Sequence, residues 1–152
     1  MTLHVTVQPP EVTKALRKDF DRRDLNHKFV KWLYRKGFLD KYADIINMER
    51  AKRGKIPHGF DVHHILPISC GGTNHVSNLC LIEKSLHKFI NKKCFDPVLR
   101  QLKIGQTGTI EIPDFPKVAL RRDFNGFIDR KLMNDKDKNL MYRSLRRWQS
   151  EK

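Results

Sequence analysis

The chain has few cysteines, and their spacing argues against a disulfide framework or a structural zinc site. Three occur in 152 residues, at Cys70, Cys80 and Cys94, and none forms a CxxC pair. Three thiols cannot all pair within one chain, and a four-cysteine zinc site needs one more ligand. The composition therefore favours a reducing compartment, in which each cysteine is expected to be a small buried apolar residue.

Long apolar runs and a leader segment are also missing. No run approaches the roughly 18 apolar residues that a membrane-spanning helix needs. The first residues, MTLHVTVQPPEV, lack a basic segment followed by an apolar one, so we expect no signal peptide and a cytoplasmic location without membrane partners. With 39% hydrophobic and 32% charged residues, the chain is expected to fold as a single domain over residues 1–152.

Acidic residues are the scarce charge. Asp and Glu number 17 against 31 Lys and Arg, which gives a net charge of +14 and a pI near 10.0. Nucleic acid is the expected partner, because Lys and Arg gain free energy by releasing counterions from phosphates. The net charge is +7 over residues 1–58, +2 over 59–95 and +5 over 96–152. We therefore expect the flanks to contact phosphates and the nearly neutral middle to carry local chemistry.

Apolar spacing predicts a helical N-terminal part over residues 1–58, and a strand–strand–helix unit over residues 60–93. The N-terminal helices are expected over residues 11–24, 27–36 and 41–53. The unit is expected to have strands over 60–68 and 79–82, a loop that uses Gly71-Gly72 for positive φ, and a helix over 83–93.

The C-terminal part, residues 96–152, is predicted to be basic and partly irregular. A helix capped by Asp96-Pro97 and closed by Gly105, and a strand over 108–113, are followed by an extended or loop segment. A helix interrupted by NDKDKN is expected from about Phe127 to Trp148. Its arginines are candidate phosphate contacts, and the alternative is a solvated basic helix end; they are Arg143, Arg146 and Arg147.

Histidines are concentrated in the segment from Phe60 to Asn91, which contains four of the seven. Two are adjacent, His63 and His64, and a third, His87, falls in the predicted helix. Metal-assisted hydrolysis needs a base with a pKa near neutrality and a cation that neutralises developing charge. Histidine can serve as that base or as a metal ligand. The segment is therefore the candidate catalytic site.

The pattern HHILP…GG…N…H resembles the HNH signature of the ββα-metal nucleases, which hydrolyse nucleic acid phosphodiester bonds with one divalent metal ion. The resemblance covers Phe60 to Lys93. The intervals of 14 positions from His64 to Asn78 and 9 from Asn78 to His87 are close to those of colicin-type members. The resemblance implies an α+β fold with a ββα-metal core and flanking helices at both ends.

The family roles can be assigned residue by residue. The resemblance implies that His64 is the general base and that His63 and His87 bind the metal. Asn78, the middle letter of the motif, is expected to fix the loop so that His64 points correctly. Asp61 is expected to orient a histidine or a phosphate-binding arginine, or to be a surface charge of the hairpin.

One position departs from the colicin-type pattern. Those enzymes have a further histidine one helical turn after the last motif histidine, where this chain has Asn91, on the same helix face as His87. Because an amide oxygen is a weaker ligand, we expect Mg²⁺ or Mn²⁺, with Zn²⁺ and Ni²⁺ as alternatives. Lys88, beside His87, is a further expected nucleic-acid contact.

The function implied by the resemblance is a metal-dependent endonuclease that cleaves DNA with little sequence specificity. A small basic nuclease of this kind resembles the DNase domains of antibacterial toxins, which would act in a target-cell cytoplasm and be blocked by an acidic immunity protein. The alternatives are a phage or mobile-element nuclease, a ββα nucleic-acid-binding module without catalysis, and a zinc-stabilised interaction domain.

Overall fold

The predicted α+β class is confirmed by the computed structural model, which describes residues 1–136. The strands are β1 (Thr2–Thr6), β2 (Phe60–His64), β3 (Leu79–Glu83), β4 (Thr107–Glu111) and β5 (Val118–Ala119). The helices are α1 (Pro10–Arg22), α2 (Leu25–Arg35), α3 (Met48–Lys52), α4 (Lys84–Ile90) and α5 (Asp96–Leu99). Short 3₁₀ turns and a π-helical turn over Asn91–Phe95 connect several of them.

The strands form small sheets. In one, β1 pairs antiparallel with β4, with Leu3 opposite Ile110. In the other, with the order β2–β3–β5, β2 is antiparallel to β3 from Phe60 opposite Glu83 to His64 opposite Leu79. The short β5 runs parallel to β3. Chain order thus takes β2 and β3 directly into α4.

Strand β3 lies at the centre of its sheet because its sequence is apolar on both faces. Residues 79–82, LCLI, are all buried. Helix α2 contributes Phe29, Val30 and Leu33 to the core cluster that contains Leu79 and Leu81. Each such side chain stabilises the fold by about 1.5–3 kcal/mol when fully buried. The β2–β3 hairpin is therefore anchored on a packed base.

The chain divides into two compact units, one over Met1–Leu120 and a second that begins at Arg121. In the second unit, residues 125–136 are helical, as part of the predicted C-terminal helix. The predicted phosphate contacts of that helix, Arg143, Arg146 and Arg147, lie outside the described residues. The single-domain organisation stays a prediction. Among residues 1–136, no helix has the length and apolar character needed to span a membrane.

The prediction of one helix over residues 41–53 was wrong. The segment forms a 3₁₀ turn at Asp40–Tyr42 and only later the short α3. Asn47 interrupts the helix because its side-chain oxygen accepts a hydrogen bond from Arg50 N and makes it the N-cap of α3. Asparagine competes with the helical backbone in this way, which favours caps over helix interiors.

Other boundaries also moved. Strand β2 ends at His64, four residues earlier than predicted, because the chain bends at Ile65 and Leu66. Helix α4 runs into the π-helical turn and then into α5, so Asp96 is not a helix N-cap. The N-terminal strand β1 was not predicted, and β5 lies within the segment expected to be extended or loop.

The glycine pair between β2 and β3 serves two purposes. Gly71 has φ of +103°, the left-handed conformation expected for the loop. Gly72 is needed for space, because a Cβ there would lie 1.8 Å from the Leu66 carbonyl oxygen. The backbone at Gly72 thus lies closer to Leu66 than any side chain at position 72 would permit.

We expect Gly72→Ala to lower the free energy of unfolding by more than about 3 kcal/mol, because the backbone of Leu66 must move. Urea denaturation followed by circular dichroism measures this. Gly126→Ala is the matched control, since its new methyl group meets nothing closer than 3.6 Å. Equal stability of the two variants would contradict the close approach.

Candidate active site

The adjacent histidines occupy the end of β2 and project to different neighbours, as successive strand residues do. The buried His63 ring lies 4.7 Å from the ring of His87 on α4, measured between centroids. The half-buried His64 ring lies 4.9 Å from the ring of Phe20 on α1. Thus β2 connects the two helices that flank the hairpin.

A pocket of about 560 Å³ opens beside these rings. It brings together four of the residues selected from the sequence, namely His63, His64, His87 and Asn91. Arg17 of α1 contributes a positive charge to the wall. Asp61, Asn78 and Lys88 do not line the pocket; Lys88 is exposed on α4. The histidines of the motif therefore face one shared space.

Asp61 contacts the site indirectly through His87. Its Oδ2 lies 3.0 Å from His87 Nδ1, and both side chains are partly buried. Because a carboxylate accepts, the imidazole donates from Nδ1, which leaves Nε2 with the lone pair in the neutral ring. A carboxylate can fix the orientation of a histidine ring by a contact of this kind.

His63 is the one buried polar or charged residue in the described core. Burial, reinforced by the charges of His87 and His64, lowers the pKa of His63 to about 3. No group within residues 1–136 forms a hydrogen bond with its Nε2. Leaving such an atom unpaired costs about 1–3 kcal/mol, which calls for a structural reason such as a bound ligand.

The pocket wall holds donors that could bind a divalent cation. His63 and His87 offer imidazole nitrogens, and Asn91 offers an amide oxygen. Within residues 1–136, no cluster of three or more His, Cys, Asp or Glu is arranged to bind a metal ion. A cation bound by these three donors would therefore need water molecules to complete its coordination.

Asn78 closes the loop that follows β2. Its Oδ1 accepts from Leu66 N at 2.8 Å, while its Nδ2 donates to Leu66 O and Thr73 O, both at 2.9 Å. The backbone adds a bond from Ile65 N to Asn78 O. The side chain thus fixes the chain just beyond His64 without entering the pocket, in agreement with a structural role.

Asn74 is a site residue that the sequence reasoning missed. Its Oδ1 lies 2.9 Å from His64 Nε2, and its Nδ2 donates to Leu16 O at 2.9 Å and Asp19 Oδ2 at 3.1 Å. These partners are more than 50 positions away in sequence. No spacing in the motif could indicate a contact that only the approach of α1 to the loop creates.

The environment of His64 favours its neutral form. Burial lowers the pKa of His64; the hydrogen bond to Asn74 opposes the shift, and the charge of Arg17 adds to it. A neutral imidazole can accept a proton, so the group is available as a base near neutral pH.

A second groove, of about 710 Å³, lies along α2 and the loop before β3. Its apolar floor includes Phe29 and Trp32, and Asn74 lines it as well as contacting His64. None of the described residues lining it is acidic, and five are basic: Arg23, Lys28, Lys31, Arg35 and Lys52. We call this surface the basic groove. Its cations all belong to the N-terminal flank, residues 1–58.

The low pKa of His63 predicts acid sensitivity of the metal-free protein. In the unfolded chain His63 takes up a proton near its ordinary pKa of 6.5, but in the folded chain only near 3. Its stabilising contribution is therefore complete above pH 6.5 and is lost as the pH falls towards 3. Between about pH 7.5 and pH 5 we expect His63 to account for a loss of about 2 kcal/mol in the free energy of unfolding.

Urea denaturation at both pH values, in EDTA, measures the loss in the wild type and in His63→Leu. Leucine does not titrate, so the variant should lose about 2 kcal/mol less than the wild type over the same pH interval. The same loss in both proteins would show that His63 is not held neutral by burial.

Comparison with known proteins gives one distant relative and no family. No family model matches the chain, and no solved structure matches it. The chain is 29% identical to the uncharacterized protein YhhZ of Escherichia coli (strain K12), over 64% of this chain and 27% of that protein. The matched region is thus about a quarter of the length of that relative.

Proposed function

We propose that this chain is a metal-dependent endonuclease of the HNH, or ββα-metal, type that hydrolyses DNA with little sequence preference. The observation that carries the proposal is the convergence of His63, His64 and His87 on one pocket, from β2 and α4. The order of the hairpin and the helix supports it, since β2, β3 and α4 follow one another in the chain as a ββα-metal core requires.

His64 is the general base of the proposed reaction. It accepts a proton from a water molecule as the water oxygen bonds to phosphorus. The bond from phosphorus to the 3′ oxygen breaks, and the leaving oxygen takes a proton from solvent, giving 5′-phosphate and 3′-hydroxyl ends. His64 is half-buried, lines the pocket and has a lowered pKa, all of which suit a base at neutral pH.

His63, His87 and Asn91 are the proposed ligands of one divalent cation, with Mg²⁺ or Mn²⁺ favoured. Bound there, the cation supplies positive charge that stabilises the phosphate and the leaving oxygen. Asp61 keeps His87 oriented through the bond to Nδ1. The unpaired Nε2 of the buried His63 supports this assignment, because metal binding would satisfy that atom.

DNA contacts are proposed in the histidine pocket and along the basic groove. Arg17 lies in the pocket wall, and the basic groove is lined by a loop residue, Asn74, that also touches His64. The Lys and Arg side chains of the basic groove can neutralise phosphates, and release of counterions makes such binding favourable at low salt. Lys88 is exposed on α4 and remains a predicted contact. A toxin role with an acidic immunity protein also remains a prediction.

The first test is cleavage by His64→Ala. We expect plasmid nicking in Mg²⁺ or Mn²⁺ to fall at least about 100-fold, because the variant removes the proposed general base. Gel assays measure the rate, and thermal melting verifies the fold. His58→Ala, which removes an exposed histidine outside the pocket, should cleave like the wild type.

The same assay separates the competing functions. Unchanged cleavage by His64→Ala would overturn the mechanism. DNA binding by the wild type without cleavage in any metal would instead support a binding module. Melting in EDTA distinguishes the third alternative, since removal of an exchangeable catalytic metal should change the melting temperature only modestly, whereas a zinc-stabilised domain would unfold.

The basic groove is tested by removing three of its charges together, with Lys28→Gln, Lys31→Gln and Arg35→Gln. We expect weaker DNA binding and a slope of log Kd against log salt that is smaller by about 2 to 3, because fewer counterions are released. Fluorescence anisotropy with a labelled oligonucleotide, across a salt series, measures both.

The control variant has the same net charge but alters exposed cations outside both pockets, by Arg53→Gln, Lys55→Gln and Lys103→Gln. It should retain most of the affinity and most of the salt slope. Equal effects in the two triple variants would mean that overall charge, and not the basic groove, governs binding.

A further inference from the structure

The amide of Asn74 has only one favourable orientation. Its Nδ2 faces two acceptors, Leu16 O at 2.9 Å and Asp19 Oδ2 at 3.1 Å. If the amide were rotated by 180°, its carbonyl oxygen would face both of these oxygens with no proton between them. The Nδ2 atom must therefore point to α1, and Oδ1 must point to His64.

This orientation determines which nitrogen of His64 carries the proton. An amide oxygen only accepts, so His64 Nε2, 2.9 Å from Asn74 Oδ1, has to be the donor. A neutral imidazole has a single N–H, which leaves the lone pair on Nδ1. The sequence interval between the motif residues carries no information on this choice.

Asp19 is held in place by two arginines at the end of the same helix. The chain of hydrogen bonds that runs from His64 through Asn74 therefore ends on a fixed carboxylate. Arg23 Nη1 lies 3.2 Å from Asp19 Oδ2, and Arg22 Nη2 lies 3.4 Å from Asp19 Oδ1. The hydrogen bond from Asn74 is the largest cause that lowers the pKa of Asp19, so its carboxylate stays ionised at neutral pH. An ionised acceptor strengthens the bond that it receives from Asn74.

We propose that Asn74, fixed by Asp19 and the Leu16 carbonyl, is a positioning residue that keeps His64 in the Nε2–H tautomer and makes Nδ1 the atom that accepts a proton. The tautomer follows from the hydrogen bonds alone, whereas its consequence for water activation rests on the proposed function. We call the hydrogen-bonded chain from Asp19 through Asn74 to His64 the relay. The relay joins α1 to the end of β2, so α1 sets the orientation of the base. Phe20, the residue after Asp19, packs on the same imidazole and limits its tilt.

The tautomer can be measured without any activity. Long-range ¹H–¹⁵N correlation spectra of the ¹⁵N-labelled, metal-free protein report the protonation of each ring nitrogen, and His64→Ala assigns the signals. We expect a protonated Nε2 with a slowly exchanging proton and an unprotonated Nδ1. A protonated Nδ1, or rapid averaging between the two nitrogens, would overturn the proposal.

The catalytic consequence is tested with Asn74→Leu, which keeps the size of the side chain but cannot accept a hydrogen bond. We expect the slowly exchanging Nε2 proton to disappear and kcat to fall about 10- to 100-fold, the range typical of lost supporting contacts. KM for DNA should stay within about twofold, because the variant removes no charge.

Asp19→Asn tests the anchor and serves as the second variant if Asn74→Leu fails to fold. It should lower kcat less than Asn74→Leu does, since the hydrogen bond remains but its acceptor is neutral. Asp24→Asn makes the same change at an exposed carboxylate that does not contact the relay, and it should keep the wild-type kcat. Wild-type kcat in Asp19→Asn and Asn74→Leu would overturn the positioning role.

Failure of the proposed function is distinguishable from failure of this inference. A wild-type protein that cleaves nothing, yet shows the Nε2–H tautomer, would refute the nuclease and retain the relay. An active wild type with the opposite tautomer would retain the nuclease and refute the relay.

Discussion

The antiparallel pairing of β2 with β3 is the constraint on which the candidate site depends. It fixes His63 and His64 opposite a buried strand, and the direct passage of β3 into α4 determines where His87 lies. A one-residue shift in register would turn each histidine to the opposite face of the sheet. The geometry of the site is therefore a consequence of the core.

The loop between these strands adds a second level of precision. The contact of Gly72 with the Leu66 carbonyl and the bonds of Asn78 around it leave the chain beyond His64 little freedom. Asn74, in the same loop, extends this restraint to α1. A glycine and two asparagines thus connect strand, loop and helix. The asparagine side chains form hydrogen bonds with protein groups instead of with solvent.

Several features followed from sequence because their causes are local. The α+β class, the helices α1 and α2, the β2–β3 pair and the helix after it are encoded in apolar period and turn residues. The interpretation of His63, His64 and His87 rested on residue chemistry and motif spacing, and the three side chains do share a pocket. The prediction of one continuous helix over residues 41–53 was wrong, because capping by Asn47 outweighed an apolar spacing that resembled that of a helix.

What only the tertiary structure decided depends on partners distant in sequence. The strand β1 gains its hydrogen bonds from β4, about a hundred residues away in the sequence. Its short alternation of apolar and polar residues was therefore not enough to predict a strand. The pairing of His64 with Asn74, the burial of His63 and the basic groove likewise arise where separate segments meet. Sequence alone thus determined which residues have the chemistry for the site. The fold decided which nitrogen of His64 is held as a donor and which imidazole is kept neutral, because hydrogen bonding and desolvation depend on neighbours that spacing does not reveal.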